Sequence, residues 1–490
     1  MDRLVLGASR SIVGTWLNAM FVALHAVLAV VSAGHALLYK RDPRAALGWI
    51  AVSVVFPYLG PLMYYLFGIN RVQTRARQLS GAAPRRFSVG FERADEQPAA
   101  QPPVVQLPDE YAELARVAAT ITRRPLCAHN TIEMLHNGEQ VFPAMLAAID
   151  AARHSLYLST YILETNTTGR RFIDALSRAT ARGVAVRVLI DGVGEWYSRP
   201  RATSLLRKKG VRVASFLPPQ LWPPSVHINL RNHRKILVAD GDVAFTGGIN
   251  IGDRHLADNL ADPSRVADTH FRVCGPVVAQ IEAVFIEDWR FVTGESLTPS
   301  PASQATAGDA ICRTITDGPD EDLDKLTMIL AGAVSAAHRS VAIVTPYFIP
   351  PRELTSALQA AALRGLQVSV VLPARNNLPY VHWATRNLLW DLLRYGVRIY
   401  YQPPPFAHTK LFVVDDHYAH IGSANLDPRS LRLNFELAVE VYERAFSQAV
   451  AGYIADIIRR SRAVTLAEVD ARPYPERVRD AFCWLFSPYL

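Results

Sequence analysis

Two segments of the chain repeat the same spacing of polar residues and glycine. Each has a histidine, a lysine two residues later, an aspartate five residues after the lysine, and Gly-x-x-Asn after six further residues. They are His233, Lys235, Asp240, Gly247 and Asn250 in the first segment, and His408, Lys410, Asp415, Gly422 and Asn425 in the second. The chain has 14 histidines and only six lysines, so about 0.01 chance occurrences of His-x-Lys-x4-Asp are expected. The repeat therefore indicates a functional site.

The residue types in each segment suit the chemistry of phosphate esters. Apolar residues follow each lysine in a strand-like pattern, which places the histidine and the lysine on one face. The lysine cation and the asparagine amide can both bind phosphate oxygens. One histidine can attack phosphorus while the other, protonated, gives its proton to the leaving alcohol. We predict that the two segments build one shared site that breaks and remakes phosphodiester bonds.

Two other interpretations of these residues remain open. A histidine beside a strand is often a structural core residue, and a histidine near an aspartate can bind a metal ion. A lysine inside the site would repel a metal cation, and no third or fourth ligand recurs at matching spacing. We therefore predict neither a metal nor another cofactor.

The two segments belong to a longer internal repeat. From about residue 130, amphipathic helical stretches alternate with short β-branched runs, as in SLYLSTYIL and its counterpart SVAIVTPYFI. Matching points lie 182 residues apart for Gly183 and Gly365, 186 apart for Gly210 and Gly396, and 175 apart for the two histidines. A match that keeps its order at a nearly constant offset is typical of a duplicated domain. The pattern predicts an α/β fold with lobes at residues 130–295 and 312–462, joined by a linker at 296–311.

The first seventy residues have the composition of a membrane anchor. Residues 16–38 contain no Asp, Glu, Lys or Arg, and a second apolar run at residues 45–67 contains Pro57, Gly60 and Pro61. About 20 apolar residues suffice to cross a bilayer, so we predict a transmembrane helical hairpin at residues 1–71. The prolines predict that its second span is kinked or re-entrant. A cleaved signal peptide is the alternative, but its apolar region would be too long and a second span follows directly.

Arginines near the two ends of this hairpin predict its orientation. They are Arg3, Arg10, Arg71, Arg75, Arg77, Arg85 and Arg86, against Lys40, Arg41 and Arg44 in the turn. The positive-inside rule then places the bulk of the chain in the cytoplasm. A stretch rich in Pro, Ala and Gln predicts a linker or peripheral segment at residues 72–129.

Overall charge and cysteine content narrow the class of protein. The net charge of +8 and the pI near 9.3 indicate an anionic partner, which is either nucleic acid or an anionic lipid surface. The four cysteines form no Cys-x-x-Cys pair, so we predict reduced thiols rather than a disulfide framework or a zinc site. The C-terminal tail at residues 463–490 is amphipathic and either lies in a lipid interface or docks on the catalytic core.

At the duplicated motif the chain resembles the phospholipase D superfamily. The resemblance implies a two-lobed α/β domain with mixed sheets flanked by helices, a phosphohistidine intermediate and no metal. It implies that His233 and His408 are the nucleophile and the general acid/base, with His233 our choice for the nucleophile. It assigns phosphate binding to Lys235, Lys410, Asn250 and Asn425, and a structural role to Asp240 and Asp415.

The same resemblance points to further residues around the motif. In this superfamily an acidic residue after each motif orients a histidine, and Asp268 and Glu436 match it, 35 and 28 residues after the histidines of their own segments. Ser423 follows the second glycine, where the first segment has Gly248. A hydroxyl donor to phosphate is therefore expected in the second lobe alone.

Other segments are similar to those of the bacterial cardiolipin synthases. They include the hairpin with its exit PYLGPLMYYLFGINR, the segment GSANLDPRSLRLNFE and the ending RVRDAFCWLFSPYL. This resemblance implies a multi-pass inner-membrane enzyme that transfers a phosphatidyl group between two phosphatidylglycerol molecules and releases glycerol. The expected partners are phosphatidylglycerol and an anionic bilayer, without nucleic acid; the oligomeric state stays open. The alternatives are a phospholipase D or phosphatidylserine-type transferase with another acceptor, a membrane-tethered nuclease, and a scaffold without activity.

Overall fold

A computed structural model describes residues 2–40, 43–68, 105, 107, 109–219, 230–301, 306, 308–319 and 324–487. Residues 72–104 of the predicted linker at 72–129, the arginines at positions 71–86 and the last three residues of the tail lie outside this description. The chain divides into two compact units, Met1–Pro84 and Arg85–Leu490.

The first unit contains one long apolar helix and a broken second run. Helix α1 spans Asp2–Tyr39, and its part Thr15–Tyr39 is long and apolar enough to cross a membrane. The second run forms helix α2 (Pro43–Val55), helix α3 (Leu59–Met63) and a π-helical turn (Tyr64–Gly68). The break falls at residues 56–58, where Pro57 has no N–H to donate and Tyr58 has a φ of 60°. Among the described residues, therefore, one helix reaches spanning length and the second run is interrupted at the proline.

The second unit contains the two lobes. The first lobe has strands β1 (Cys127–His136), β2 (Ser155–Thr160), β3 (Ala185–Asp191), β4 (Arg212–Phe216), β5 (Ile236–Ala239), β6 (Val243–Gly247), β7 (Val266–Ala267) and β8 (Thr269–Cys274). The second lobe has strands β9 (Ala310–Asp317), β10 (Ser340–Val344), β11 (Gln367–Pro373), β12 (Arg398–Gln402), β13 (Phe406–Ala407), β14 (Leu411–Val414), β15 (Tyr418–Gly422), β16 (Glu436–Tyr442) and β17 (Arg462–Val464).

Helices connect and cover these strands. They are α4 (Asp109–Thr122), α5 (Asn137–Ala151), α6 (Thr167–Ala181), α7 (Ala202–Lys208), α8 (Val278–Thr293), α9 (Lys325–Ser335), α10 (Arg352–Leu363), α11 (Pro379–Leu393), α12 (Pro428–Arg432), α13 (Arg444–Arg459), α14 (Leu466–Asp470) and α15 (Tyr474–Leu485). Short 3₁₀ turns lie at Gly194–Tyr197 and Asp253–His255.

The strand order confirms the duplication. One mixed sheet of 15 strands runs β17-β12-β11-β10-β14-β15-β16-β9 through the second lobe and β1-β8-β6-β5-β2-β3-β4 through the first. Read outward from the β1–β9 junction, both halves place equivalent strands in the same order. β1 and β9 pair antiparallel, with Cys127 opposite Cys312 and Asn130 opposite Ala310. The two halves therefore form one continuous sheet.

The apolar core also joins the two lobes. One buried cluster belongs to the first lobe and another to the second. A third includes Phe285 and Trp289 of α8 together with Phe446, Val450 and Ile454 of α13, so residues of both lobes build it. Separating the lobes would expose these apolar side chains of α8 and α13 to water, so their burial stabilises the contact between the lobes.

Segments outside the predicted lobes are also structured. Helix α4 lies within the predicted linker at residues 72–129, and its Tyr111, Leu114 and Ala118 are buried in the core of the second lobe. Between the lobes, the Ser300 hydroxyl donates to Glu282 of α8 at 2.6 Å. In the C-terminal tail, helix α15 packs against α11.

Candidate active site

Each histidine–lysine pair lies in an extended segment directly before a central strand. β5 begins one residue after Lys235, and β14 begins one residue after Lys410. All four residues of β5 and all four of β14 are buried, so the strands fix the backbone of the motif inside the core. His233 and His408 are each 9% exposed. Each ring therefore sits at the edge of the core, where a ligand can reach it.

Backbone hydrogen bonds tie each motif to the other lobe. The His233 N–H donates to the Phe435 carbonyl at 3.0 Å, and the Phe435 N–H donates to the Arg231 carbonyl at 2.9 Å. In the second motif, the His408 N–H donates to the Ala267 carbonyl at 2.8 Å, where β13 pairs in parallel with β7. The two motifs are thus held side by side across the junction between the lobes.

The carboxylates are exchanged between the lobes. Glu436 of the second lobe lies 3.0 Å from Nδ1 of His233, and Asp268 of the first lobe lies 2.7 Å from Nδ1 of His408. Spacing alone assigns each carboxylate to the histidine of its own segment, and that pairing is wrong. The cause is the backbone pairing between the lobes. Glu436 directly follows Phe435, whose carbonyl accepts from the His233 N–H, and Asp268 directly follows Ala267, whose carbonyl accepts from the His408 N–H.

This exchange also determines the histidine tautomers. An ionised carboxylate only accepts hydrogen bonds, so Nδ1 of each ring is the donor. The Nε2 atom of each neutral ring then keeps its lone pair. Both rings are therefore prepared for attack or for proton transfer through Nε2.

The two histidines and two lysines lie within electrostatic range of one another. Burial lowers the pKa of His233; the Glu436 carboxylate opposes that effect, and the charges of Lys235 and Lys410 add to it. Burial, then Lys410, Lys235 and His233, lower the pKa of His408 well below its usual value. The motifs therefore converge on one site, as the sequence pattern predicts, and burial in that site favours the neutral form of both rings.

Burial also weakens the charge on both lysines. It lowers the pKa of Lys235 to about 7 and that of Lys410 to about 8, against the attraction of Glu436 and Asp268. Lys235 donates to the His233 carbonyl at 2.8 Å, and Nζ of Lys410 lies 3.0 and 3.1 Å from the two ring nitrogens of His408. A bound anion would restore the cationic form of both side chains.

Asp240 and Asp415 lie outside this cluster, at the turns that follow β5 and β14. The Asp240 carboxylate accepts from the backbone N–H groups of residues 153, 154 and 155 at 2.7–2.9 Å, and Asp415 accepts from those of residues 338, 339 and 340 at 2.5–2.7 Å. Burial alone would raise the pKa of Asp240, but the three N–H groups hold it below its usual value. Both carboxylates fasten the motif turn to the start of a neighbouring strand.

Ser423 and Gly248 distinguish the two lobes. The Ser423 hydroxyl donates to Glu436 at 2.5 Å and accepts from the Leu437 N–H at 3.1 Å. A Cβ atom at Gly248 would lie 2.4–2.7 Å from the carboxylate of Asp268, so this position has no room for a side chain. Ser423 thus supports the longer carboxylate, and the predicted donation to phosphate would require it to give up that bond.

The two asparagines of the Gly-x-x-Asn segments are held differently. Asn425 donates through Nδ2 to the Ser430 hydroxyl at 3.1 Å, and Asn250 accepts from the Ile162 N–H at 3.3 Å. Five residues after Asn250, at the position equivalent to Ser430, the buried His255 lies 3.4 Å from the Asn250 backbone nitrogen. These supporting residues carry no motif signal of their own, although their equal spacing in the two repeats points to them.

A buried charge network around the first motif was not predicted from the sequence. Arg231 binds Asp191 at 3.2 Å, Arg234 binds Asp288 at 2.5 Å, and Asn232 donates to Asp288 at 3.1 Å. The run RNHRK, with charges on both sides of a core histidine, is the signal that could have revealed it. The second motif has Phe406, Ala407 and Thr409 at the corresponding positions, so only the first motif is framed by ion pairs of this kind among the described residues.

Each histidine also faces an aromatic ring. The Tyr161 and His233 ring centroids are 5.5 Å apart, and those of Tyr347 and His408 are 6.4 Å apart. Both tyrosines come from the repeated segments STYIL and TPYFI, where the sequence shows them but does not reveal their contacts. Burial, before any other cause, raises the pKa of both phenols. They therefore remain neutral walls of the site.

The duplicated sheet and the paired histidine–lysine segments define an enzyme of the phospholipase D type. The family model described as "Cardiolipin synthase, PLD-like domain" matches residues 145–289 and 330–458, and the one described as "Phospholipase_D-nuclease N-terminal" matches residues 27–68. The chain belongs to the phospholipase D-like cardiolipin synthase family.

Individual relatives agree with this assignment. The chain is 33% identical to a cardiolipin synthase of Geobacillus thermodenitrificans over 92% of this chain and 90% of that protein. It is also 33% identical to cardiolipin synthase A of Pseudomonas putida, over 95% of this chain and 96% of that protein. The crystal structure of a phosphatidylserine synthase of Haemophilus influenzae has the same fold, with a TM-score of 0.60 and 16% identity over 77% of this chain and all of that one.

Proposed function

We propose that this chain transfers the phosphatidyl group of one phosphatidylglycerol to the terminal hydroxyl of a second, forming cardiolipin and glycerol. The observation that carries the proposal is the exchanged pairing of His233 with Glu436 and His408 with Asp268 in one buried site. The membership in the cardiolipin synthase family supports the choice of substrate.

The proposed reaction has two displacement steps. In the first, Nε2 of one histidine attacks phosphorus, the bond from phosphorus to the glycerol oxygen breaks, and the second histidine, protonated, gives its proton to that oxygen. In the second, the acceptor hydroxyl attacks phosphorus, the phosphorus–nitrogen bond breaks, and the second histidine takes back the proton. We assign the attack to His233, our choice between the two histidines from the resemblance to the phospholipase D superfamily. The exchanged carboxylates would stabilise the positive charge that each ring carries in turn.

Lys235 and Lys410 would bind the phosphate oxygens as charge accumulates on them. Asn250 and Asn425 would add amide donors, while Asp240 and Asp415 would hold the motif turns. Water and an alcohol attack the phosphohistidine by the same chemistry, so exclusion of water would favour synthesis over hydrolysis.

The substrate assignment is tested by reconstituting the full chain in vesicles of phosphatidylglycerol labelled in both the acyl chains and the terminal glycerol. We expect labelled cardiolipin and free glycerol in equal amounts. Phosphatidic acid without cardiolipin would identify a hydrolase instead and contradict the proposal. Cardiolipin formed without release of labelled glycerol would contradict the proposed donor.

The lysines predict how the reaction depends on pH. Both are protonated below their pKa values of about 7 and 8, so their charges are present at low pH and lost as the pH rises. Because Lys235 loses its charge above about pH 7 and Lys410 above about pH 8, kcat/KM for the anionic lipid should fall by about tenfold per pH unit between pH 7 and 8 and by about a hundredfold per unit above pH 8. The measurement is initial transfer rate from pH 7 to 9.5 with detergent-dispersed substrate, with circular dichroism to show that the protein stays folded. A constant kcat/KM across this range would contradict the role of the lysines.

For the anchor, we propose that α1 crosses the bacterial inner membrane and that the broken second run returns to the same side, leaving the catalytic unit in the cytoplasm. The length of the apolar part of α1 and the arginines around the hairpin support this arrangement. Protease added to intact spheroplasts should leave the catalytic unit uncut, and its digestion there would reverse the orientation.

A further inference from the structure

Helix α15 presents an unusual apolar face to solvent. Tyr474, Phe482 and Leu485 are 78%, 60% and 66% exposed, and Val478 is about half exposed. Spacings of four, four and three residues put these side chains on one side of the helix, and exposed Phe486 extends the row past its C-terminal end. A soluble surface rarely groups so many large apolar side chains.

The opposite side of α15 is firmly held. Asp480 is fully buried and accepts from Arg472 at 2.7 Å, from Arg479 at 2.8 Å and from Arg386 of α11 at 3.3 Å. Removing such a carboxylate would leave buried cations without their partner, so this network fixes the rotation of the helix about its axis. The apolar face therefore points outward because the polar side is anchored.

Charge separates the two sides of the helix. Glu476 binds Arg386 at 2.7 Å on the anchored side. The apolar face carries no acidic residue, and exposed Arg477 lies at its border. This distribution matches a helix that lies in the interface of an anionic bilayer, with apolar side chains among the acyl chains and arginine at the headgroups.

Contacts lead from α15 to the candidate active site. Cys483 packs against a small buried cluster made by Ile349, Val381 and Ala384, and Tyr347 packs against the same cluster. Tyr347 is the ring that faces His408. A bilayer surface that contacts α15 would therefore lie on the side of the catalytic unit that holds His408.

We propose that the apolar face of α15 inserts into the interfacial region of an anionic bilayer and seats the His408 side of the site on the lipid surface. The inference rests on the proposed function only for the identity of the lipid substrate. The insertion itself depends on the helix and does not require transfer to occur.

Photo-crosslinking of the full chain in phosphatidylglycerol nanodiscs tests the insertion directly. Phe482→p-benzoylphenylalanine should form covalent lipid adducts on illumination, detected by mass spectrometry. The matched control is Leu363→p-benzoylphenylalanine on α10, where the natural leucine is 69% exposed; it should give no more adduct than the dark sample. No adduct at 482 would overturn the proposal, whether or not the protein makes cardiolipin. A crosslink from 482 to a second chain would also overturn it, because it would assign the face to a dimer.

Activity gives an independent test of the same surface. Phe482→Asp should reduce transfer in bilayers about tenfold while leaving transfer with detergent-dispersed substrate unchanged, and Leu363→Asp should change neither. If Phe482→Asp lost the same fraction of its activity with bilayer substrate and with detergent-dispersed substrate, the enzyme would have a general defect and the proposal would be overturned.

Discussion

His233→Ala and His408→Ala should each reduce the rate of phosphatidyl transfer by about 10⁴-fold or more, and the double variant should be no slower than either. In the proposed mechanism one ring makes the bond to phosphorus and the other moves the proton, so the loss of either would stop the same sequence of steps. Each lobe contributes one histidine, and the charges of Lys235 and Lys410 lower the pKa of both rings.

A buried histidine outside the site provides the control for these variants. His420 on β15 is as buried as the motif histidines, and its Nε2 makes no hydrogen bond to another described residue. His420→Ala should lower the Tm but keep the rate per folded molecule within about tenfold of the natural enzyme. If one motif variant retained near-normal turnover, the shared site would be wrong.

The same variants identify the nucleophile. With His233 as the attacking residue and phosphate-labelled lipid, His408→Ala denatured in neutral detergent should carry covalent label, whereas His233→Ala should carry none. The quench is kept neutral because the phosphorus–nitrogen bond of a phosphohistidine breaks in acid. Label trapped in His233→Ala would transfer the nucleophilic role to His408.

Glu436→Gln should reduce kcat by about 10²- to 10⁴-fold with a small change in KM. The glutamine is similar in size, but it removes the negative charge and can present an N–H₂ group to Nδ1 of His233. The neutral ring then loses its preferred tautomer, and the positive charge that develops on it loses its partner. Burial alone would raise the pKa of Glu436, but His233, Lys235 and Ser423 hold it below its usual value, so the carboxylate is ionised at neutral pH.

Glu440 offers a matched control on the same strand. Both glutamates are fully buried in β16, and Glu440 binds Arg313 at 2.5 Å instead of a motif histidine. Glu440→Gln should lower the Tm while the folded fraction keeps its kcat. Equal kcat losses for Glu436→Gln and Glu440→Gln would show that charge removal in β16 acts through folding. Asp268→Asn repeats the test on His408 should Glu436→Gln fail to fold.

The sequence predicts the members of the site better than their partners. The motif residues recur at fixed local spacing, and short-range spacing in a strand determines which side chains share a face. The pairing of His233 with Glu436 joins residues 203 positions apart, and it depends on how the lobes dock. No periodicity within one lobe carries that information, which is why spacing assigns the carboxylates to the wrong histidines.

Composition also hides structure near the lobe boundaries. A stretch rich in Pro, Ala and Gln precedes α4, so the whole region reads as a linker, yet the apolar side of α4 completes the core of the second lobe. The ion pairs of Arg231 and Arg234 are hidden for another reason. A charged residue inside a core becomes recognisable only when its partner, here Asp191 or Asp288, is seen beside it.

The exchange of carboxylates has a consequence for how such a protein can be divided. A single half of the duplication would carry one histidine without the carboxylate that orients it, and one carboxylate without the histidine it orients. Such a half-length polypeptide could assemble a working centre only by associating with a second half through the surfaces that are now internal. Fusion of the halves makes that association unimolecular and frees each half to diverge, as the serine and glycine beside the two carboxylates have done.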